Sequence, residues 1–208
     1  MTLAQSLLSF GLLATVLAIT PGLDTVFVLR QALRDGRPAA FAAAAGVCAG
    51  TLIWGVAAAA GVAALFVASE FAFTALRWAG IAYLCWLGLT YLRSAWRGDA
   101  VGAGIAVGSD SPRRAAVKGL LTNLTNPKVA VFYLTVLPLF LPAGYPPALA
   151  GAMLAGLHAA VGMVWFVVVI LAARAVRGFL SSRSGARITD GVAGAAMLGF
   201  AAALGFER

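Results

Sequence analysis

The charged residues of this chain stand in a few short clusters, and the stretches between them are apolar and very long. The first, LAQSLLSFGLLATVLA at 3–18, carries no charge, and apolar character continues past a short interruption to Leu29. An apolar run of about 18 residues or more is a candidate to cross a bilayer. Composition agrees, with 62% hydrophobic and 11% charged residues and a mean hydropathy of +0.96. A soluble domain averages roughly 45–50% and about 25%. The 208 residues hold about six such spans, at 3–29, 39–67, 72–92, 115–140, 147–172 and 188–206. The expectation is one integral membrane domain over 1–208, all-α, with no soluble domain. Residues 1–20 could pass for a secretory leader, but no Lys or Arg precedes the apolar stretch, so the segment reads as the first span.

The net charge of +8 fits membrane topology better than nucleic acid, because the bases cluster in loops and no basic patch is interleaved with aromatics. The loop RQALRDGRP carries Arg30, Arg34 and Arg37. The segment 93–118 carries Arg93, Arg97, Arg113, Arg114 and Lys118, and 173–187 carries Arg174, Arg177, Arg183 and Arg187. The loops at 68–71 and LPAGYPP have no base. Basic and base-free loops alternate, which places the basic ones in the cytoplasm and both termini outside. A five-span alternative, with 3–29 re-entrant, keeps the same loops inside. Three spans, a polar linker at 98–112, then three more divide the chain into halves of about 1–97 and 113–208. An odd number of spans per half makes the second half run inverted to the first, a pattern that recurs in secondary transporters.

Each half opens on a broken helix. The first break is Thr20–Pro21–Gly22–Leu23–Asp24, and the second is centred on Asn123, Asn126, Pro127 and Lys128. Proline brings no N–H and clashes with the carbonyl four residues back, here that of Leu17 or Asn123. It also disfavours helix at Thr20 and Asn126, and Gly22 adds backbone freedom. Broken backbone at membrane depth survives where it lines a protein-enclosed or wet cavity. Asp24 lies roughly 9 Å inside Arg30, and Lys128 roughly 15 Å past Lys118, at helical rise. An ionisable residue at such depth costs about 2.5–3.5 kcal/mol on insertion scales and marks a functional site. One acid and one base, each beside a break, form a dipolar site. The plainer reading is a pair that locks two helices, and the two are compatible.

At these residues the chain resembles the LysE-type translocators, in their threonine/homoserine-exporter branch. The resemblance is carried by TPGLDTVFVLRQALRDGRPAAFAAAAGVCAG, AFTALRWAGIAYLCWLGLTYLRS and GLLTNLTNPKVAVFYLTVLPLF. The family's first motif usually reads Pro-Gly-Pro, and Leu23 stands here for the second proline. The resemblance implies an exporter of amino acids or related small metabolites in a bacterial inner membrane, driven by proton antiport.

A free amino acid is a zwitterion. Lys128 suits its carboxylate and Asp24 its ammonium. Asn123 and Asn126 offer amides, and Thr20 and Thr122 hydroxyls. The helix starts at Gly22 and Lys128 present free N–H groups. Asp24 is also the candidate proton carrier. His158 in the fifth span is either a proton relay or an interhelical hydrogen-bond partner. Trp165 reads as packing or pathway lining. Gly46 and Gly50 of GVCAG, with Ala42, make a small face for packing inside the chain or for a homodimer seam. Arg77 is expected to snorkel or pair with Glu70. Tyr91, Trp96 and Tyr145 are candidate interface anchors.

The expected partners are the bilayer and a small-molecule substrate. No cofactor is implied. Cys48 and Cys85 lie in apolar spans as packing residues, and a single His argues against a metal centre or metal cargo. An intramembrane enzyme lacks its second acid at depth. A purely structural membrane partner leaves both charged breaks unexplained.

Overall fold

A computed structural model describes residues 1–20, 22–68, 70–97, 110–173, 175, 178–179 and 182–206. Pro21, most of the 98–112 linker, Arg174, Arg177 and the Glu70–Arg77 contact expected above lie outside the described residues and side chains, as does the Tyr91 side chain.

Helix α1, Leu3–Ile19, begins with a capping box between Thr2 and Gln5. Each side chain there meets the other's backbone N–H, at 3.3 and 2.9 Å. Helix α2, Leu23–Arg34, follows the first break at a bend of 51°. Gly36, at φ 84°, follows the Asp35 cap and turns the chain into α3 through the left-handed conformation that glycine favours. Helix α3 spans Arg37–Ala68 and α4 Glu70–Arg97. The second half runs α5 (Pro112–Leu124), the second break, α6 (Pro127–Val131), a π turn (Phe132–Val136) and a 3₁₀ turn (Leu137–Phe140). Helices α7 (Pro147–Leu171) and α8 (Arg183–Phe206) complete it. No strand occurs among the described residues.

The chain is an all-helical membrane protein. Among the described residues, Arg37–Gly61 and Pro147–Leu171 are long and apolar enough to cross a bilayer, and the bent pair α1–α2 is either a third, broken span or a re-entrant loop. The expected span 115–140 is four pieces rather than one helix: α5, α6, the π turn and the 3₁₀ turn.

Helix α3 is the centre. It packs on α5 and α7, while α4 packs on α8 and α1 on α7. Bare α-carbons set these contacts. A Cβ on Gly46 would collide with the Ala116 carbonyl, and one on Gly119 with that of Ala43. The small face of GVCAG therefore serves the α3–α5 contact inside the chain. Arg187, expected in a loop, stands in α8 and donates to the carbonyls of Ala95 and Trp96 at 3.1 and 3.0 Å. A cation is favourable at that C-terminal helix end.

Two apolar clusters sit at opposite ends of the bundle. One gathers Phe10, Leu13, Phe132, Tyr133, Leu137, Phe140 and Leu154, toward the base-free LPAGYPP loop. The other gathers Val28, Ala39, Ala40, Val47, Phe166 and Ile170, toward the basic loops.

Candidate functional site

Between the two clusters lies a cavity of ≈ 50 Å³. Its wall includes Thr20, Gly22, Asp24, Asn123, Asn126, Lys128 and His158. Residues from both breaks thus share one space with a histidine of the fifth expected span. Pro127 is the first helical residue of α6, where a missing N–H leaves no bond unmade.

The backbone explains why Lys128 is there. Residue 21 is proline, so the Leu17 carbonyl has no donor four residues on. Lys128 Nζ donates to that carbonyl at 3.2 Å and to the Thr20 carbonyl at 3.3 Å. A lysine of the second half closes the exposed end of α1, and its positive charge suits the helix C-terminus. Thr20 is extended, and its hydroxyl bonds back to the Val16 carbonyl at 2.6 Å. Gly22 has φ −147°, extended backbone that any residue adopts, so the conformational freedom expected of it is not what this position uses. A Cβ there would make ordinary contact with Lys128 Nζ at 3.6 Å.

Asp24 stands in the first turn of α2, where a carboxylate is favoured by the helix dipole. Its Oδ2 accepts from Asn123 Nδ2 at 2.9 Å, and the same amide reaches Thr51 Oγ at 3.4 Å. Asn123 fits because α3 carries Gly50 opposite it: a Cβ there would lie 2.6 Å from Asn123 Oδ1. Asn126 caps α6 by accepting from the Lys128 backbone N–H at 3.1 Å. Its own N–H donates to the Asn123 carbonyl at 3.1 Å, the carbonyl that Pro127 deprives of its donor. Asp24 Oδ1 and Asn123 Oδ1 are both buried with no hydrogen-bond partner among the described residues. Unmatched acceptors at this site suit a donor-rich, cationic group.

His158 Nδ1 and Tyr133 Oη share a buried hydrogen bond of 2.9 Å, with the rings stacked at 13°. Phe10 and Phe132 meet the imidazole edge-on. The histidine thus joins the cavity to the cluster around Phe10 and Phe132.

One expected contributor, Thr122, stands elsewhere, and Trp165 takes the packing role. Thr122 bonds to the Lys118 carbonyl at 2.7 Å and is not among the lining residues. Trp165 donates to Thr25 Oγ at 3.3 Å and packs in the cluster near the basic loops. Sequence reasoning missed Thr51, Tyr133 and the α7 wall. Val47 and Cys48 each lie one turn from Thr51, at spacings of four and three residues, a signal that the GxxxG reading obscured.

A further tie joins the halves on the basic side. Asp110 accepts from Lys118 Nζ at 2.7 Å on both oxygens and from Gln31 Nε2 at 3.3 Å, with Arg34 at 3.7 Å. The hydrogen bonds from Lys118 hold its carboxyl below the usual carboxylate range.

Comparison with known proteins adds identity to the geometry. The family model described as LysE type translocator matches residues 15–208. The chain is 25% identical over 202 residues to the uncharacterized membrane protein YrhP of Bacillus subtilis, covering 94% of this chain and 96% of that one. It is 30% identical over 186 residues to the threonine efflux protein of Salmonella typhimurium, covering 89% and 90%. It is 37% identical over 153 residues to the putative amino-acid transporter YggA of Aeromonas salmonicida, covering 68% of each. No solved structure matches the chain.

Proposed function

The chain belongs to the LysE type translocator family, transporters rather than enzymes, and on that premise we propose that it exports amino acids across a bacterial inner membrane by proton antiport. The observation that carries the proposal is the meeting of Asp24 and Lys128, one from each half, in a single cavity bounded by both breaks. Similarity to relatives named for threonine efflux and amino-acid transport supports the substrate class.

In this reading the substrate ammonium docks on Asp24 Oδ1 and Asn123 Oδ1, the two unmatched acceptors. The substrate carboxylate pairs with the Lys128 ammonium, which also donates to the Leu17 and Thr20 carbonyls. The two broken helices bound the cavity, and they are where it would open to load substrate. The tie of Asp110 to Gln31, Arg34 and Lys118 lies between α2 and α5 on the side where substrate enters. A proton arriving at Asp24 from outside, past Tyr133 and His158, competes with the ammonium and releases it. The two halves act as inverted three-span repeats, with α3 matched to α7 and α4 to α8, giving six spans.

Purified protein in liposomes tests this. Vesicles loaded with unlabelled amino acids are given labelled ones, with and without an imposed pH gradient. Exchange of a restricted set, stimulated by the gradient in wild type but not in Asp24→Asn, is expected. Gradient-driven transport that persists in Asp24→Asn removes Asp24 as proton carrier.

A further inference from the structure

Glycines in this fold fall into two kinds. At Gly46, Gly55, Gly119 and Gly151 an added Cβ would strike a neighbouring helix. Gly162 differs: it is buried, it lines the cavity, and a Cβ on it would meet nothing within 4 Å. A buried α-carbon facing empty space is a piece of cavity wall, not a packing contact.

Most of the cavity wall around Gly162 is apolar. On α7, Ala159, Gly162 and Phe166 follow one another at helical spacing along one face. Val47 and Cys48 of α3 complete that wall. The charged groups Asp24 and Lys128 come from other elements, as do Asn123 and Asn126, while His158 stands one turn before Gly162 on α7. The cavity thus has a charged end and an end that is mostly apolar. If the charged end takes the ammonium and carboxylate that every amino acid carries, the apolar end is left for the side chain. Besides Asp24 and Lys128, the ionisable residues among the described cavity-lining residues are Cys48 and His158, so among them no further carboxylate or ammonium meets a charged side chain at that end.

We infer that Gly162 is the specificity-determining residue of this site: its bare α-carbon leaves the space for the side chain of a neutral amino acid, and the size of residue 162 sets the longest side chain exported. The inference rests on the exporter reading above.

The test is counterflow of glycine, alanine, serine, threonine, valine, leucine and lysine by wild type, Gly162→Ala and Gly162→Val. Gly156→Ala is the control, because a Cβ at Gly156 also meets nothing within 4 Å but Gly156 is not a cavity-lining residue. One methylene in an apolar pocket discriminates by about 10–200-fold. Gly162→Ala is therefore expected to lower threonine and valine exchange by about tenfold or more while glycine and alanine stay within about twofold. Gly162→Val extends the loss to alanine, and Gly156→Ala keeps the wild-type profile. Cys48→Ala, which enlarges the same end, shifts the profile toward longer side chains. Thermal unfolding of each variant accompanies the assay. A well-folded Gly162→Ala that changes every amino acid by one common factor, or none, overturns the inference alone. Wild type that exchanges no amino acid overturns the exporter reading and the inference with it.

Discussion

The two breaks solve the same backbone problem in opposite ways. At the first, the chain leaves α1 extended through Thr20 and resumes at Leu23, and the abandoned carbonyls of Leu17 and Thr20 are met from outside, by Lys128. At the second, the chain repairs itself. Asn126 donates its N–H to the Asn123 carbonyl and caps α6 with its side chain. That leaves the Asn123 amide free to reach across to Asp24. The first break is thus open and charge-dependent, while the second is closed and lends its side chains to the first. A self-sufficient break holds its own backbone, and an open one depends on the other half to satisfy it.

Lys128→Met should break this arrangement most severely. It strands two carbonyls that the break already exposes, and each buried unsatisfied group costs about 1–3 kcal/mol. Transport at background level and a lowered melting temperature in detergent are expected; unchanged stability would show that the first break does not depend on the second half. Asn123→Ala removes the donor to Asp24 and the crossing between the breaks. A hydrogen bond to a charged group contributes about 1.5–3 kcal/mol, so transport should fall about 10–100-fold. Asn126→Ala, a cap, should instead cost about 1 kcal/mol of stability, and a larger transport loss than that of Asn123→Ala would reverse the assignment.

The tie at Asp110 joins the same two broken helices outside the membrane. Lys118 holds its carboxyl below the ordinary value. A group depressed in this way stabilises the fold above its unfolded value and loses that contribution as pH falls through the lowered one. The tie therefore persists through neutral pH and is lost only below about pH 4. Hydrogen exchange at 110–118 should rise in Asp110→Asn at pH 7 and converge with wild type in acid. The smallest effect is expected of Leu23→Pro. Position 23 is the first residue of α2 and follows an extended Gly22, where proline is well tolerated. Folding and transport should stay within about twofold of wild type, with any stability change upward by roughly 0.4–1 kcal/mol.

Much of this was legible in the residues. Pro21 and Pro127 announced the breaks because no other residue type both lacks an N–H and clashes with the preceding turn. Asp24 and Lys128 stood out because a charge at membrane depth is costly. The partners of these residues were not legible. That Lys128 would meet carbonyls 108 and 111 residues away depends on how α3 seats between the breaks. That seating is set by backbone contacts at Gly46 and Gly119, which periodicity does not encode. Gly162 was invisible for the same reason, since a glycine facing a cavity and one facing a helix read alike. Tyr133 is hidden in a π turn that no sequence period reveals.

Cys48 offers the most direct test of the central claim, that substrate sits where the two breaks meet. It lines the cavity, and its Sγ lies 3.4 Å from the Ala159 carbonyl. In a Cys85→Ala protein, Cys48 is the remaining thiol, and its modification by a small methanethiosulfonate can be followed with and without the amino acid that wild type exchanges fastest. The account predicts that this amino acid slows modification several-fold, and that Asp24→Asn abolishes the protection. Unslowed modification in protein that is exchanging that same amino acid would contradict it.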